Sequence, residues 1–215
     1  MYSLLVKMSG PVGALALGAG FGTLASLVNS LSSDYGVVGD WLRAGDWTAG
    51  AAGPIRVLSL ILDSGWAWAS LAVLAGLLVK TRLLAALDGL LVLAAATATY
   101  FCMDSILRSE SLSGYGTEMV VWWTASVLLG PLLGMIGAHA RTPGVTGLLA
   151  KLTVPVGAIT QMIVLPPGWG GIEVKPSAVV ARVLVSVVAI AVAVRVLSQA
   201  GRRRPGAFNT TGRGR

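Results

Sequence analysis

Three acidic residues lie within or beside long apolar stretches of this sequence, and each has an aromatic residue about one helical turn away. Residues three or four positions apart share a face of a helix. The pairs are Asp63 with Trp66, Asp104 with Tyr100 and Phe101, and Glu118 with Trp122. In a membrane-spanning helix an acid is expected to face the bundle interior, and its aromatic neighbour would follow it. The spacing predicts a pocket walled by aromatic rings and carboxyl groups.

A carboxyl group in such a pocket is suited to donating a proton. Burial without a partner disfavours the charged form, and a protonated acid can protonate an apolar substrate. Aromatic faces attract cations. The combination suits protonation of an alkene or epoxide followed by carbocation cyclisation. Asp63 is the first candidate for the acid, with Asp104 or Glu118 holding it protonated or sharing its proton.

The same acids have structural interpretations. Asp104 and Arg108 are four positions apart and are expected to form a salt bridge at a helix end. Glu118 opens an apolar segment, where a negative charge complements the helix dipole. Asp63 has no basic residue three or four positions away, but Arg56 or Arg182 would be able to pair with it.

The composition is that of a membrane protein. Of 215 residues, 55% are hydrophobic and 12% are charged, and the mean hydropathy is +0.79. Soluble proteins have roughly 25% charged residues, and one span takes about 20 apolar residues. We therefore predict an all-α transmembrane bundle of about six spans, without a separate soluble domain. The apolar segments are residues 11–31, 57–79, 83–107, 118–140, 148–165 and 178–197.

Basic residues predict the orientation of these spans. With the N-terminus in the cytoplasm, most lysines and arginines fall on the inner side, so both termini should be cytoplasmic and the membrane should be the plasma membrane. Residues 1–200 form the predicted bundle, and 201–215 form a basic, disordered tail. The net charge of +7 then reflects the basic residues on the cytoplasmic side of the membrane, and we expect no nucleic-acid partner. This topology places Asn29, Gln161 and Arg182 at the same depth as the three acids, as further substrate-binding candidates.

Single cysteine and histidine residues narrow the chemistry. Cys102 is the only cysteine and His139 the only histidine, so a Ser-His-Asp triad and a histidine-rich metal centre are nearly excluded. We predict no metal and no cofactor. A proton-coupled transporter or lipid-binding protein using the same acids is the alternative. Pro155 predicts a kink in the fifth segment, but no matching break is expected in the second, and the halves show no repeat, which weighs against a transporter.

Several stretches resemble a family of small actinobacterial membrane proteins of mostly unknown function. They are SGWAWASLAVLAG, TATYFCMDSILR, EMVVWW, GPLLGMIGAHARTPG and VPVGA, within residues 64–195. Some proteins of this type resemble the membrane-bound terpene cyclases of drimentine-like indole-sesquiterpenoid pathways. The resemblance implies metal-free, proton-initiated cyclisation of a lipophilic prenylated substrate, with Asp63, Asp104 and Glu118 matched to the acids by residue type and depth alone.

A third interpretation is a structural subunit of a membrane complex. Small residues on the first and fourth segments would then pack against other chains. Assembly with further copies of the chain stays open at this point.

Overall fold

The computed structural model describes residues 10–33, 48–167 and 176–202, and the side chains of residues 48–52 are outside this description. Within these ranges the chain is helical and has no strands. The elements are α1 Pro11–Ser32, α2 Thr48–Leu62, α3 Gly65–Leu78, α4 Arg82–Arg108, a 3-10 helix Leu112–Tyr115, α5 Gly116–His139, α6 Val145–Val164 and α7 Pro176–Arg202. Five spans in the described ranges are long and apolar enough to cross a membrane, and the number rises to six if the bent pair of α2 and α3 is counted as one span. The predicted all-α transmembrane bundle is confirmed.

Polar side chains fix several helix ends. Thr81 accepts a hydrogen bond from the Leu84 backbone N–H at the start of α4. The buried Asp88 side chain lies near the Gly10 backbone N–H, where α1 begins. Arg141 donates to the Val79 carbonyl beyond the end of α3. These bonds pair backbone groups that the helices themselves leave unsatisfied.

The predicted continuous helix over residues 57–79 is wrong. α2 begins earlier, at Thr48, and ends at Leu62, and α3 starts at Gly65 with its axis bent by 58°. Ser64 between them has an extended backbone, φ −80° and ψ 140°. Asp, Ser and Gly, the residues at this point, are weak helix formers. The break therefore follows from a local sequence that contains no proline.

Two long side chains stabilise this break. The Gln161 Oε1 atom on α6 accepts the backbone N–H of Trp66, at 2.8 Å, in the first turn of α3. The Trp68 indole N–H reaches back to the carbonyl oxygen of Leu62, at 3.0 Å. Backbone groups at both new helix ends are thus paired inside the bundle, where an unpaired one would be costly.

Helices α1, α3, α4 and α5 pack closely around a small-residue core. Its buried members include Leu71, Ala72, Val92 and Ala96. A Cβ atom on Gly134 of α5 would overlap the backbone oxygen of Ala85 on α4. Glycine therefore permits backbone contact between these helices, as is common in membrane bundles.

Helices α2, α6 and α7 form a second layer that is less tightly filled. Ala158, Met162, Val185 and Ala189 make its buried cluster. Two adjoining cavities of about 260 Å³ and 580 Å³ lie in this layer and share Ile61 on α2 as a wall. Their linings are almost entirely apolar. Most of the predicted tail, from residue 203 onward, lies outside the described residues, and α7 continues to Arg202, just inside the predicted tail.

Candidate functional site

Two of the three predicted acids come together in the structure. Asp63 occupies the break between α2 and α3, and Asp104 lies near the end of α4. Their carboxyl groups interact electrostatically, and the Tyr100 hydroxyl interacts with both. Two separate elements of the bundle thus bring two acids and a phenol into one neighbourhood.

Asp104 is buried and fully partnered. Its side chain receives the Arg108 Nε–H at 3.0 Å and the Tyr115 hydroxyl at 2.9 Å. The predicted Asp104–Arg108 salt bridge is confirmed. The same Tyr115 hydroxyl lies 2.7 Å from a carboxyl oxygen of Glu110. Asp104 is therefore held in place by an ion pair with an arginine and a hydrogen bond from a phenol.

Asp63 differs from Asp104 in both exposure and pairing. Its side chain is exposed, and within the described part of the chain it makes no hydrogen bond and no ion pair, including with Arg56 or Arg182. The structural pairing considered for it is therefore not formed between these residues. Among the described residues, Asp63 thus has a carboxyl group without a hydrogen-bond or ion-pair partner, within electrostatic range of Asp104.

Hydrogen bonds between polar side chains connect Tyr100, near the two acids, to Asn29 on α1. The Asn29 side-chain amide donates to the Tyr100 hydroxyl at 2.7 Å, and the Ser59 hydroxyl donates to the Asn29 oxygen at 3.4 Å. Asn29 thus joins the site, at the depth that the sequence predicted. Because Tyr100 accepts the amide hydrogen, its own hydroxyl proton remains available to another acceptor.

Six aromatic rings lie along this side of the bundle, and we call them the aromatic cluster. Trp68 is central: its ring lies 5.4 Å from that of Phe21, 6.0 Å from Tyr100 and 6.0 Å from Trp122, measured between centroids. The array continues from Tyr100 to Phe101 at 5.4 Å and from Phe101 to Tyr115 at 5.5 Å. These separations are typical of interacting aromatic pairs. Four helices and the 3-10 helix contribute to one aromatic wall.

The predicted role of Trp66 beside Asp63 is not supported. Trp66 lines the 260 Å³ apolar cavity and packs on the cluster that contains Met162 and Val185. The pairing of Asp63 with Trp66 assumed a continuous helix, and the break at Ser64 removes that assumption. The Trp68 ring instead lies 6.0 Å from that of Tyr100, near the acid pair.

The other predicted site residues are spread around the break. The Gln161 side-chain oxygen accepts a hydrogen bond from the first turn of α3, so it is not directed at the acids. Glu118 is exposed at the start of α5, and Arg182 is exposed on α7; neither forms a hydrogen bond or ion pair within the described ranges. The structure thus unites Asn29, Asp63, Tyr100, Phe101, Asp104 and Trp122.

Three contributing residues were missed by sequence reasoning. Trp68 was missed because an unbroken helix places Trp66, and not Trp68, on the face of Asp63. Phe21 lies in a small-residue segment with no acid nearby in sequence, and Tyr115 lies in the turn SLSGYG. The DSG sequence at the break was the one available signal, because it would have shifted attention from Trp66 to Trp68.

Metal binding has no donor cluster in the ranges that the structure covers. No group of three or more His, Cys, Asp and Glu side chains there is arranged to hold an ion. Comparison of the chain with protein-family models, with curated proteins and with solved structures found no match. The resemblance to membrane terpene cyclases therefore stays a prediction, and the arguments below use the geometry of this chain.

Proposed function

We propose that this membrane protein is a metal-independent terpene cyclase that protonates a lipophilic prenylated substrate. The observation that carries the proposal is Asp63, which has no partner among the described residues and lies near the ion-paired Asp104 and the aromatic cluster. The first supplies a proton, the second disfavours loss of that proton until a substrate accepts it, and the rings face the developing cation.

The reaction is balanced without a co-substrate. The Asp63 carboxyl transfers its proton to a terminal alkene carbon, and the alkene π electrons form the new C–H bond. The π electrons of the next alkene then form a ring C–C bond to the cationic carbon. Loss of a proton from a carbon beside the final cation returns it to the Asp63 carboxylate. Substrate and product have the same atoms, so the reaction is an isomerisation.

Trp68 and its neighbours would stabilise the intermediates. A cation over an aromatic face gains roughly 0.5–2 kcal/mol, more where water is excluded. Tyr100 stands between the acid pair and the Trp68 ring. The apolar cavities beside Ile61, two residues from Asp63, offer space for the hydrocarbon tail of the substrate. An indole-sesquiterpenoid substrate is our choice because it combines a prenyl chain with an aromatic group.

Two acid-to-amide variants test the proposal. Membranes that contain the protein are incubated with farnesylated indoles, and products are separated and weighed by mass spectrometry. Asp63→Asn should lower turnover by at least about 100-fold, the usual contribution of a general acid. Glu118→Gln is the matched control, since it removes an acid at the start of α5 and should keep turnover within about threefold. Full turnover by a correctly inserted Asp63→Asn variant would refute the assignment.

A proton-coupled transporter is the second candidate, and the break at Asp63 favours it. Discontinuous helices with an acid at the break are common in ion-coupled transporters. Proteoliposomes loaded with a pH-sensitive dye distinguish the two. A cyclase predicts product formation without proton flux, and a transporter predicts ligand-dependent proton uptake that Asp63→Asn abolishes.

The location proposed for this chain is the plasma membrane, with both termini in the cytoplasm. Arg82, Arg141 and Arg195 lie at one end of the bundle and Arg108 lies at the other, and this excess of arginines at one end supports the orientation by the positive-inside rule. A protease added to intact cells should leave a C-terminal tag uncut, and the same protease should digest the tag once the cells are broken open. Digestion of the tag in intact cells would place the C-terminus outside the cell and would reverse the proposed orientation.

A further inference from the structure

One end of the bundle, which we call the basic end, has an excess of positive charge in the described ranges. It is where α3, α5 and α7 end and where α4 and α6 begin. Its basic residues are Lys80, Arg82, Arg141, Lys151, Arg195 and Arg202. Its one described acid is Asp88, which is buried inside the bundle. This end therefore offers no described carboxylate at the surface to neutralise its cations.

A cavity of about 480 Å³ opens at the basic end between α6 and α7. The wall carries apolar side chains, among them Leu148 and Leu197, and polar ones, among them Lys151 and Gln199. The lining therefore has an apolar part and a polar part, whereas the cavities near Ile61 have almost entirely apolar linings. A ligand that fits both parts must itself be amphiphilic.

Lys151 is the one charged residue in this wall. It lies six residues after the start of α6 at Val145, or roughly 9 Å along the helix axis. The side chain is exposed and forms no hydrogen bond or ion pair with the described part of the chain. A lysine at this depth in a membrane helix extends toward the headgroups or pairs with an anion.

We propose that this cavity binds one anionic phospholipid. The phosphate pairs with the Lys151 ammonium group and receives the Gln199 amide, and an acyl chain lies along Leu148, Val196 and Leu197. Charge complementarity selects this occupant, because an excess of cations without surface acids favours a negative headgroup. By the positive-inside rule this end is expected at the cytoplasmic leaflet, where the anionic lipids concentrate. The inference does not depend on the cyclase proposal.

Lipid binding to the purified full-length protein tests the site. The protein in an uncharged detergent is titrated with phosphatidylglycerol or with phosphatidylcholine, and bound lipid is counted by native mass spectrometry. We expect one phosphatidylglycerol to bind about fivefold more tightly than phosphatidylcholine, since one basic side chain near a membrane surface has about this effect. Lys151→Ala should abolish that preference, and Lys151→Arg should keep it.

Lys80→Ala is the matched control, because it removes one exposed positive charge from the same end but outside the cavity. It should keep the preference for phosphatidylglycerol. If Lys80→Ala and Lys151→Ala reduced the preference for phosphatidylglycerol equally, the preference would come from the overall charge of the basic end, and the proposed site would be wrong. If Lys151→Ala aggregates, Lys151→Gln gives the same test with a polar side chain of similar length.

Inorganic phosphate separates a lipid site from an anion site. We expect millimolar phosphate to leave phosphatidylglycerol bound, since it lacks the acyl chain that fills the apolar part of the wall. Complete displacement by phosphate would show that the cavity selects a free anion, and the lipid assignment would fail. Equal binding of both lipids to the unmodified protein would also overturn it.

Discussion

The two layers of the bundle differ in how they are packed. Helices α1, α3, α4 and α5 meet through glycines and carry the aromatic cluster, whereas α2, α6 and α7 enclose two apolar cavities. Close backbone contact fixes ring positions in the first layer, because a packed interior deforms little. Open apolar space in the second layer accepts chains of varied shape. The break at Asp63 lies between α2 of the second layer and α3 of the first, so this acid stands where the two kinds of packing meet.

A substitution in the layer formed by α1, α3, α4 and α5 should change stability more than any other change considered below, because backbones touch there. Gly134→Ala places a Cβ atom against the backbone oxygen of Ala85, which cannot move aside as a flexible side chain can. We expect a loss of about 3 kcal/mol in the free energy of unfolding, measured in mixed detergent micelles, at the upper end of usual overpacking costs.

Gly157→Ala on α6 is the control for that comparison. A Cβ atom there meets nothing within 4 Å, and alanine is the better helix former. The variant should be as stable as the unmodified protein. Equal destabilisation by both substitutions would mean that the two layers do not differ in packing.

An intermediate effect separates the two tryptophans of α3. Trp68→Leu removes the centre of the aromatic cluster and should reduce kcat on a farnesylated indole about tenfold, in line with one lost cation–π contact. Trp66→Leu changes only the apolar cavity and should alter KM while kcat stays within about twofold. Steady-state kinetics on membranes measure both, and a larger kcat loss in Trp66→Leu would reverse the assignment of the two rings.

The smallest effect concerns the hydroxyl of Tyr115. This group contacts both Asp104 and Glu110 but has one proton, so it donates to one carboxylate at a time. Tyr115→Phe should reduce the free energy of unfolding by about 1 kcal/mol. Chemical denaturation of the purified protein gives the value. No change at all would indicate that Arg108 alone holds Asp104.

Much of the fold was predictable because hydropathy depends on local sequence. The ends of α1, α4 and α6 fall within a few residues of the apolar segments predicted for them. The break at Ser64 was not predicted, since it also requires Gln161 from another helix to cap Trp66. Contacts between distant segments cannot be obtained from the periodicity of one segment.

The candidate site was partly predictable for the same reason. Asp104, Tyr100 and Phe101 share one regular helix, so their spacing located them correctly relative to one another. One error lay in α3, where the predicted helix ran through a break and exchanged Trp66 for Trp68. A second concerned Glu118, Gln161 and Arg182, which were placed by depth alone and do not join the two acids. Depth alone brought Asn29 to the right layer, because depth depends only on distance along a span.

Isotope incorporation tests the central claim most directly. Membranes containing the protein are incubated with a farnesylated indole in deuterium oxide, where the Asp63 carboxyl exchanges its proton between turnovers. Protonation by Asp63 should give a cyclised product with one deuterium on a carbon of the former terminal alkene, and the Asp63→Asn variant should give no such product. A cyclised product without deuterium, or formation of the labelled product by Asp63→Asn, would contradict it.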